Sequence, residues 1–195
     1  YEMSASLVGS EMCIRDSMNT YEHLFHEYGQ TVGQLLFTKG DAVNSKRYLY
    51  MRGTIQALLE LGAIPIVNEN DAVSADEIKI GDNDTLSAIV ASVAEADLLI
   101  ILSDIQGLYT KDPKSHPDAE LIHEVPAFSR ELFSIAGGAG TARGTGGMYT
   151  KIQAAEICVH SGIDMIIAKS DEKEVLLRIM DGEELSLIHI SEPTR

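Results

Sequence analysis

The sequence predicts an α/β fold, a three-layer αβα sandwich around a largely parallel sheet. Short apolar, β-prone runs alternate with stretches of helical periodicity along the chain. At least one of those runs, LLIIL, is apolar at every position, as strands covered on both faces are. Clusters of Asn, Asp and Gly follow the strands or open the helices, where open α/β sheets bind ligands.

In order, residues 31–38 (TVGQLLFT) read as a strand. Residues 45–61 carry Tyr48, Met51, Ile55, Leu58 and Leu59 at helical spacing. Gly62 stops that helix, and residues 63–68 (AIPIVN) form a short buried strand. A helix over 84–96 places Leu86, Ile89, Val90 and Val93 on one side, and the strand at 98–102 (LLIIL) follows. After a loop holding Asp112 and Pro113 come a short strand at 121–125 and a helix at 129–135. Six glycines fall between Gly137 and Gly147, then a helix runs to about His160. Residues 164–168 (DMIIA) make another buried strand, and 173–180 a closing helix. No internal repeat or low-complexity linker interrupts the pattern.

The 195 residues suffice for one domain with a real core. Hydrophobic residues make up 45%, charged residues 23%, and the mean hydropathy is +0.00, a soluble globular profile. There is no apolar run of membrane-spanning length and no signal-peptide pattern. Cys13 and Cys158 lie far apart without zinc-type spacing, which fits a reduced, cytoplasmic protein. Thirty acidic against 15 basic residues give a net charge of −15. That field disfavours nucleic acid and anionic membranes as partners. It equally repels small anions, so any anionic ligand must meet locally concentrated cations.

The ends differ from the middle. Residues 1–17 contain SLVGSEMCIRDS and residues 185–195 read LSLIHISEPTR. Both resemble translated sequencing-adapter DNA, so the functional domain is expected over 18–184. The alternatives are a short helix at the start and a terminal strand over 185–190.

Three clusters carry candidate chemistry. Asn68-Glu69-Asn70-Asp71 follows the strand AIPIV, and Gly81-Asp82-Asn83-Asp84 opens a helix. A free amino acid needs such a mixture: a carboxylate for its ammonium, and neutral donors for its carboxylates. Asn, Asp and Gly also make turns and N-caps, so either cluster alone fits a purely structural role. The third cluster joins Ser103-Asp104, Gly107-Leu108-Tyr109-Thr110-Lys111-Asp112-Pro113 and Gly144-Thr145-Gly146-Gly147-Met148-Tyr149-Thr150-Lys151. Glycines admit phosphates close to the backbone, helix-start N–H groups favour anions, and Lys151 adds a full charge. A flexible surface loop would look similar. Neither GxxxxGK[ST] nor GxGxxG occurs. His23 and His26 share a helical face but lack a third ligand, so no protein metal site is expected.

Taken in order, IPIVNENDAV, EIKIGDNDTLSA, the strand ending in Ser-Asp, GLYTKDP and GTGGMYTK resemble the amino-acid kinase superfamily. Within it the chain is similar to the glutamate 5-kinase family, which opens proline synthesis. The resemblance spans about residues 18–180. It implies ATP-dependent phosphorylation of the side-chain carboxylate of L-glutamate, with magnesium travelling on ATP. It assigns glutamate to Asp71 and Asn83, with Asn68 nearby. Asp84 would orient phosphate-binding lysines, and Ser103 and Asp104 would hold the nucleotide. Thr145, Gly146, Gly147, Met148, Tyr149, Thr150 and Lys151 would wrap its phosphates, Lys151 stabilising charge during transfer. The family's opening strand with a KxGxS-type turn and its SGA-type turn have no counterpart in this sequence. The expected sheet therefore lacks its first strands, and the chain alone is expected to be inactive or nearly so. An RNA-binding-like domain that often follows in the family has no counterpart either. Another superfamily member with a different acceptor, and a non-catalytic nucleotide- or amino-acid-sensing domain, remain alternatives, and a homo-oligomer is left open.

Overall fold

The computed structural model describes residues 16–70, 82–105, 107–110, 116–122, 124–125, 128–129, 131–135, 147–182 and 189–190. The chain divides into two compact units, residues 1–81 and 82–195.

In the first unit a helix, α1, runs through residues 16–26 and carries His23 and His26, both exposed. Strand β1 (Thr31–Phe37) pairs in parallel with β2 (Ala63–Glu69), in continuous register from Thr31 opposite Ala63 to Phe37 opposite Glu69. Between them lie a short α2 (Lys39–Val43) and α3 (Ser45–Glu60), the helical crossover that a parallel pair requires. Asn44 starts α3: its Oδ1 accepts hydrogen bonds from the amides of Lys46 and Arg47, both 3.1 Å. Met51 and Ile55 are the buried side chains of α3. Leu58, one turn on, lies so close to β1 that a Cβ at Gly33 would meet its Cδ2 at 2.8 Å. Gly62 ends the crossover at φ 69°, a left-handed conformation in which glycine has no steric cost.

The second unit is layered. Its sheet has the order β3–β7–β8–β6, formed by Leu98–Ser103, Asp164–Lys169, His189–Ile190 and Glu124–Val125. β3 and β7 are parallel, as are β6 and β8, while β7 and β8 meet antiparallel through Met165 and Ile190. Strand alternation sends Ile101, Met165 and Ile167 to one face, where they pack with Ala88 and Ala91 of α4 (Asn83–Ala94) and Ile152, Ala155 and Cys158 of α6 (Met148–His160). Ile166 and Ala168 go to the other face, with Leu98 and Ile100, against Val175 and Ile179 of α7 (Val175–Met180). Helix, sheet and helix form the three expected layers. A small antiparallel pair, β4 (Leu108–Tyr109) with β5 (Leu121–Ile122), and a one-turn α5 (Leu132–Ile135) complete the unit.

Several expectations change. The run at 121–125 is not one strand: Leu121–Ile122 pairs with β4, whereas Glu124–Val125 joins β8. β3 is also less covered than its composition suggests. It ends the described strand order, and Leu102, on the α7 face, is 46% exposed. The expected helix at 173–180 begins at Val175, after Glu174 in a left-handed conformation at φ 55°. β8 falls within the segment 185–195 that the sequence sets apart.

Candidate functional site

Helices α4 and α6 lie side by side and run in the same direction. Asp84 in the first turn of α4 meets Thr150 and Lys151 in the first turn of α6. At the other end the Ser161 hydroxyl, just past α6, donates to the Ser92 hydroxyl near the end of α4 at 3.0 Å. The N-terminal ends of both helices are thereby brought together. Each presents its first-turn N–H groups and the positive end of its dipole, a setting that favours an anion.

Sequence explains each half. The Asp82 side chain caps α4, its Oδ1 accepting from the Thr85 amide at 2.7 Å. This fixes Asn83 as the first helical residue, exposed to solvent, and Asp84 as the second. A carboxylate there is favoured by the helix dipole. Gly147 precedes α6, and the Thr150 side chain folds back to it, its Oγ1 lying 2.9 Å from the Gly147 carbonyl oxygen. Lys151 comes next. A lysine in a first turn opposes the dipole, so its position is explained by what it faces rather than by helix stability.

It faces Asp84. Lys151 Nζ donates to Asp84 Oδ2 at 3.0 Å, and Thr150 Oγ1 donates to the same oxygen at 2.6 Å. The Lys151 side chain is 9% exposed and that of Asp84 19%. The neighbouring side chains of α6 have other work: Met148 packs against the core, and Tyr149 lies tilted on Phe133 with ring centroids 5.3 Å apart.

A second group stands at the carboxyl ends of β3 and β7. Ser103 is buried, its hydroxyl donating to Asp104 Oδ1 at 3.2 Å and its carbonyl accepting from the Ser170 amide at 2.8 Å. Lys169 is its cross-strand partner and holds Asp171 at 2.8 Å. The hydrogen bond that Lys169 donates to Asp171, together with the carboxylate's charge, raises the Lys169 pKa above the ordinary lysine value. Sequence reasoning missed Lys169, because the strand was expected to end at Ala168. Its signal was a lysine directly after a buried run, but opposition to Ser103 needs the register. Tyr109, in the GLYT segment, is part of β4 rather than a loop.

Asn68 lies near the end of β2 with its side chain turned back, Oδ1 accepting from the Glu69 amide at 2.9 Å. Asp71, Thr145 and Gly146 lie outside the described residues. Among the described residues no group of three or more His, Cys, Asp or Glu could hold a metal ion. No helix among them is long and apolar enough to cross a membrane.

The chain is similar to several known proteins. The chain is 59% identical over 165 residues to glutamate 5-kinase of Caldanaerobacter subterraneus subsp. tengcongensis, which covers 85% of this chain and 44% of that protein. It is 52% identical over 166 residues to glutamate 5-kinase of Clostridium tetani, covering 85% and 62%. The chain thus spans about half the length of these relatives. Among solved structures it resembles an isopentenyl phosphate kinase, with a TM-score of 0.62, 20% identity, and coverage of 89% of this chain and 66% of that one. UMP kinase from Ureaplasma parvum gives a TM-score of 0.59 at 15% identity, covering 88% and 64%. At such identities these two likenesses speak for the fold alone. The amino acid kinase family matches residues 9–169, and with that match the chain belongs to this family.

Proposed function

We propose that this chain carries the phosphate-handling part of a glutamate 5-kinase, which transfers the γ-phosphoryl group of ATP to the side-chain carboxylate of L-glutamate and opens proline synthesis. The observation that supports it most is the Lys151–Asp84 pair at the joined starts of α4 and α6. A cation held against a helix dipole, in a nearly dry setting, is poised for an anion whose charge shifts during reaction. The relatives named glutamate 5-kinase supply the acceptor.

The reaction asks little acid–base chemistry of the protein. The glutamate side chain, which ordinarily titrates near pH ~4.3, is already ionised at neutral pH. Its oxygen attacks the γ-phosphorus in line, a new O–P bond forms, and the bond to the ADP oxygen breaks. Positioning and charge stabilisation do the rest. Lys151 neutralises charge on the transferring group, and Asp84 orients Lys151. With Met148 and Tyr149 engaged in packing, α6 offers phosphates its backbone N–H groups and Lys151. Ser103 and Asp104 contact the nucleotide, and Asn68, Asp71 and Asn83 are assigned to glutamate. Magnesium bound to the phosphates would offset their charge; Asp84 already commits Oδ2 to two donors, so the residues present suit an ion that arrives with ATP. A cytoplasmic location belongs to the same reading.

The test supplies the chain with a family-type leading segment bearing the KxGxS turn and follows ADP release from Mg-ATP with and without L-glutamate. Glutamate-dependent turnover supports the assignment. Turnover with another acceptor and none with glutamate sinks it.

A further inference from the structure

Asp84 takes both of its described side-chain hydrogen bonds on one oxygen. Lys151 and Thr150 converge on Oδ2, and the Thr150 contact is the shorter, 2.6 Å against 3.0 Å. The hydroxyl has a single proton. Between Asp84 Oδ2 and the Gly147 carbonyl at 2.9 Å, the charged and nearer acceptor is favoured. The Gly147 amide lies 3.5 Å from Thr150 Oγ1, so a weak donation returns from the cap residue. Gly147, Thr150 and Asp84 therefore form one chain of hydrogen bonds linking the starts of α6 and α4.

A part-buried ion pair raises a difficulty for any reaction that needs its cation. When Lys151 turns its ammonium toward a phosphoryl oxygen, Asp84, its side chain 19% exposed, loses its charged partner. A carboxylate largely withdrawn from solvent resists that movement. A second donor already seated on the same oxygen removes much of the resistance, because the carboxylate keeps one strong hydrogen bond whichever way Lys151 points. Thr150 is 6% exposed and holds that place.

We propose that Thr150 is a positioning residue: its hydroxyl anchors Asp84 Oδ2 so that Lys151 can be released to the terminal phosphoryl group of a nucleoside triphosphate. This rests on reading the starts of α4 and α6 as a phosphate site. It gives the Thr150 side chain a carboxylate to hold, rather than a phosphate, unlike the role the resemblance implies for the whole run from Thr145 to Lys151.

The test compares Mg-ATP and Mg-ADP binding to the full chain by calorimetry, for wild type, Thr150→Val and Thr150→Ser. Thr150→Val is nearly isosteric but cannot donate; Thr150→Ser restores the donor. The expected result is a loss of about tenfold in Mg-ATP affinity for Thr150→Val, the scale of one hydrogen bond to a charged group. Mg-ADP affinity should stay within about twofold, and Thr150→Ser should behave as wild type. Equal weakening of both nucleotides by Thr150→Val would make Thr150 a direct ligand and overturn the proposal. So would a Thr150→Ser variant as impaired as Thr150→Val, or a Thr150→Val variant that binds as wild type. Failure of the wild-type chain to bind either nucleotide overturns the phosphate-site reading itself, and this proposal with it.

Discussion

Lys151 and Asp84, 67 residues apart in sequence, are joined by a 3.0 Å ion pair between the first turns of two parallel helices. Removing Lys151 leaves Asp84 part-buried with only the Thr150 hydroxyl on it. Lys151→Met should therefore destabilise the chain by about 1–2 kcal/mol, less than the loss for a fully buried pair. The double variant with Asp84→Asn should lose less than the two single losses together, by about 1–3 kcal/mol. Urea unfolding of the four proteins measures this coupling, and strict additivity would show that the pair contributes nothing.

If the chain joined to a family-type leading segment turns over as proposed, Lys151→Met in it should lower kcat by about 10²–10³-fold, the usual cost of one group that stabilises transition-state charge. The KM for ATP should change less. If that KM rises while kcat is kept, Lys151 is a ground-state anchor instead.

Asp71→Ala in the same assembled protein should weaken glutamate far more than ATP. A desolvated ammonium that loses its carboxylate partner costs about 2–5 kcal/mol. Steady-state KM values for both substrates decide it, and equal losses would assign Asp71 to a structural turn.

Most of the scaffold was legible because its signals are local. β1, α3 and β2 fall within a residue or so of the positions that apolar periodicity and Gly62 predict. Asp82 marks the start of α4 by its side-chain chemistry. What escaped depends on partners distant in sequence. The break after Ile122 exists because the strands either side of it join different sheets, and no residue there announces it. The two-residue β4 is too short to show a period, and Leu102 is exposed because β3 ends the described order, which an apolar run cannot reveal. The site followed the same rule. Glycines and Lys151 pointed to a helix start suited to an anion, but only resemblance linked Asp84 to it, and the opposition of Lys169 to Ser103 is a matter of register.

Alanine at two glycines of the first unit should cost stability for different reasons. Gly62→Ala meets no atom within 4 Å, so its cost is the left-handed backbone, about 1 kcal/mol. Gly33→Ala keeps ordinary backbone geometry but drives a methyl into Leu58 at 2.8 Å. Leu58→Ala should relieve part of that cost and none of the cost at Gly62. Melting temperatures of the two double variants check this; equal relief at both sites would remove the steric explanation.

Cys158 is fully enclosed in the core between α6 and the sheet, at 0% exposure, and burial pushes its thiol pKa up from 9.0 to about 11. Only the thiolate attacks alkylating reagents, so at pH 8 the native chain should leave Cys158 unmodified. Peptide mapping after iodoacetamide treatment distinguishes it from Cys13, and labelling of Cys158 should appear only on unfolding. The same shift sets a pH dependence. Between the unfolded and folded pKa values the unfolded chain binds fewer protons at this site than the native one, so stability falls as pH rises. The loss should begin near pH 9 and be complete a little above pH 11, amounting to at most about 3 kcal/mol. Cys158→Ala removes the titrating group and should flatten that part of the curve, at the cost of a small cavity that lowers stability at every pH. Urea midpoints from pH 8 to 11.5 for the two proteins test it directly. Parallel curves would mean that other groups cause the alkaline loss, and that the thiol is not held in its neutral form by the core.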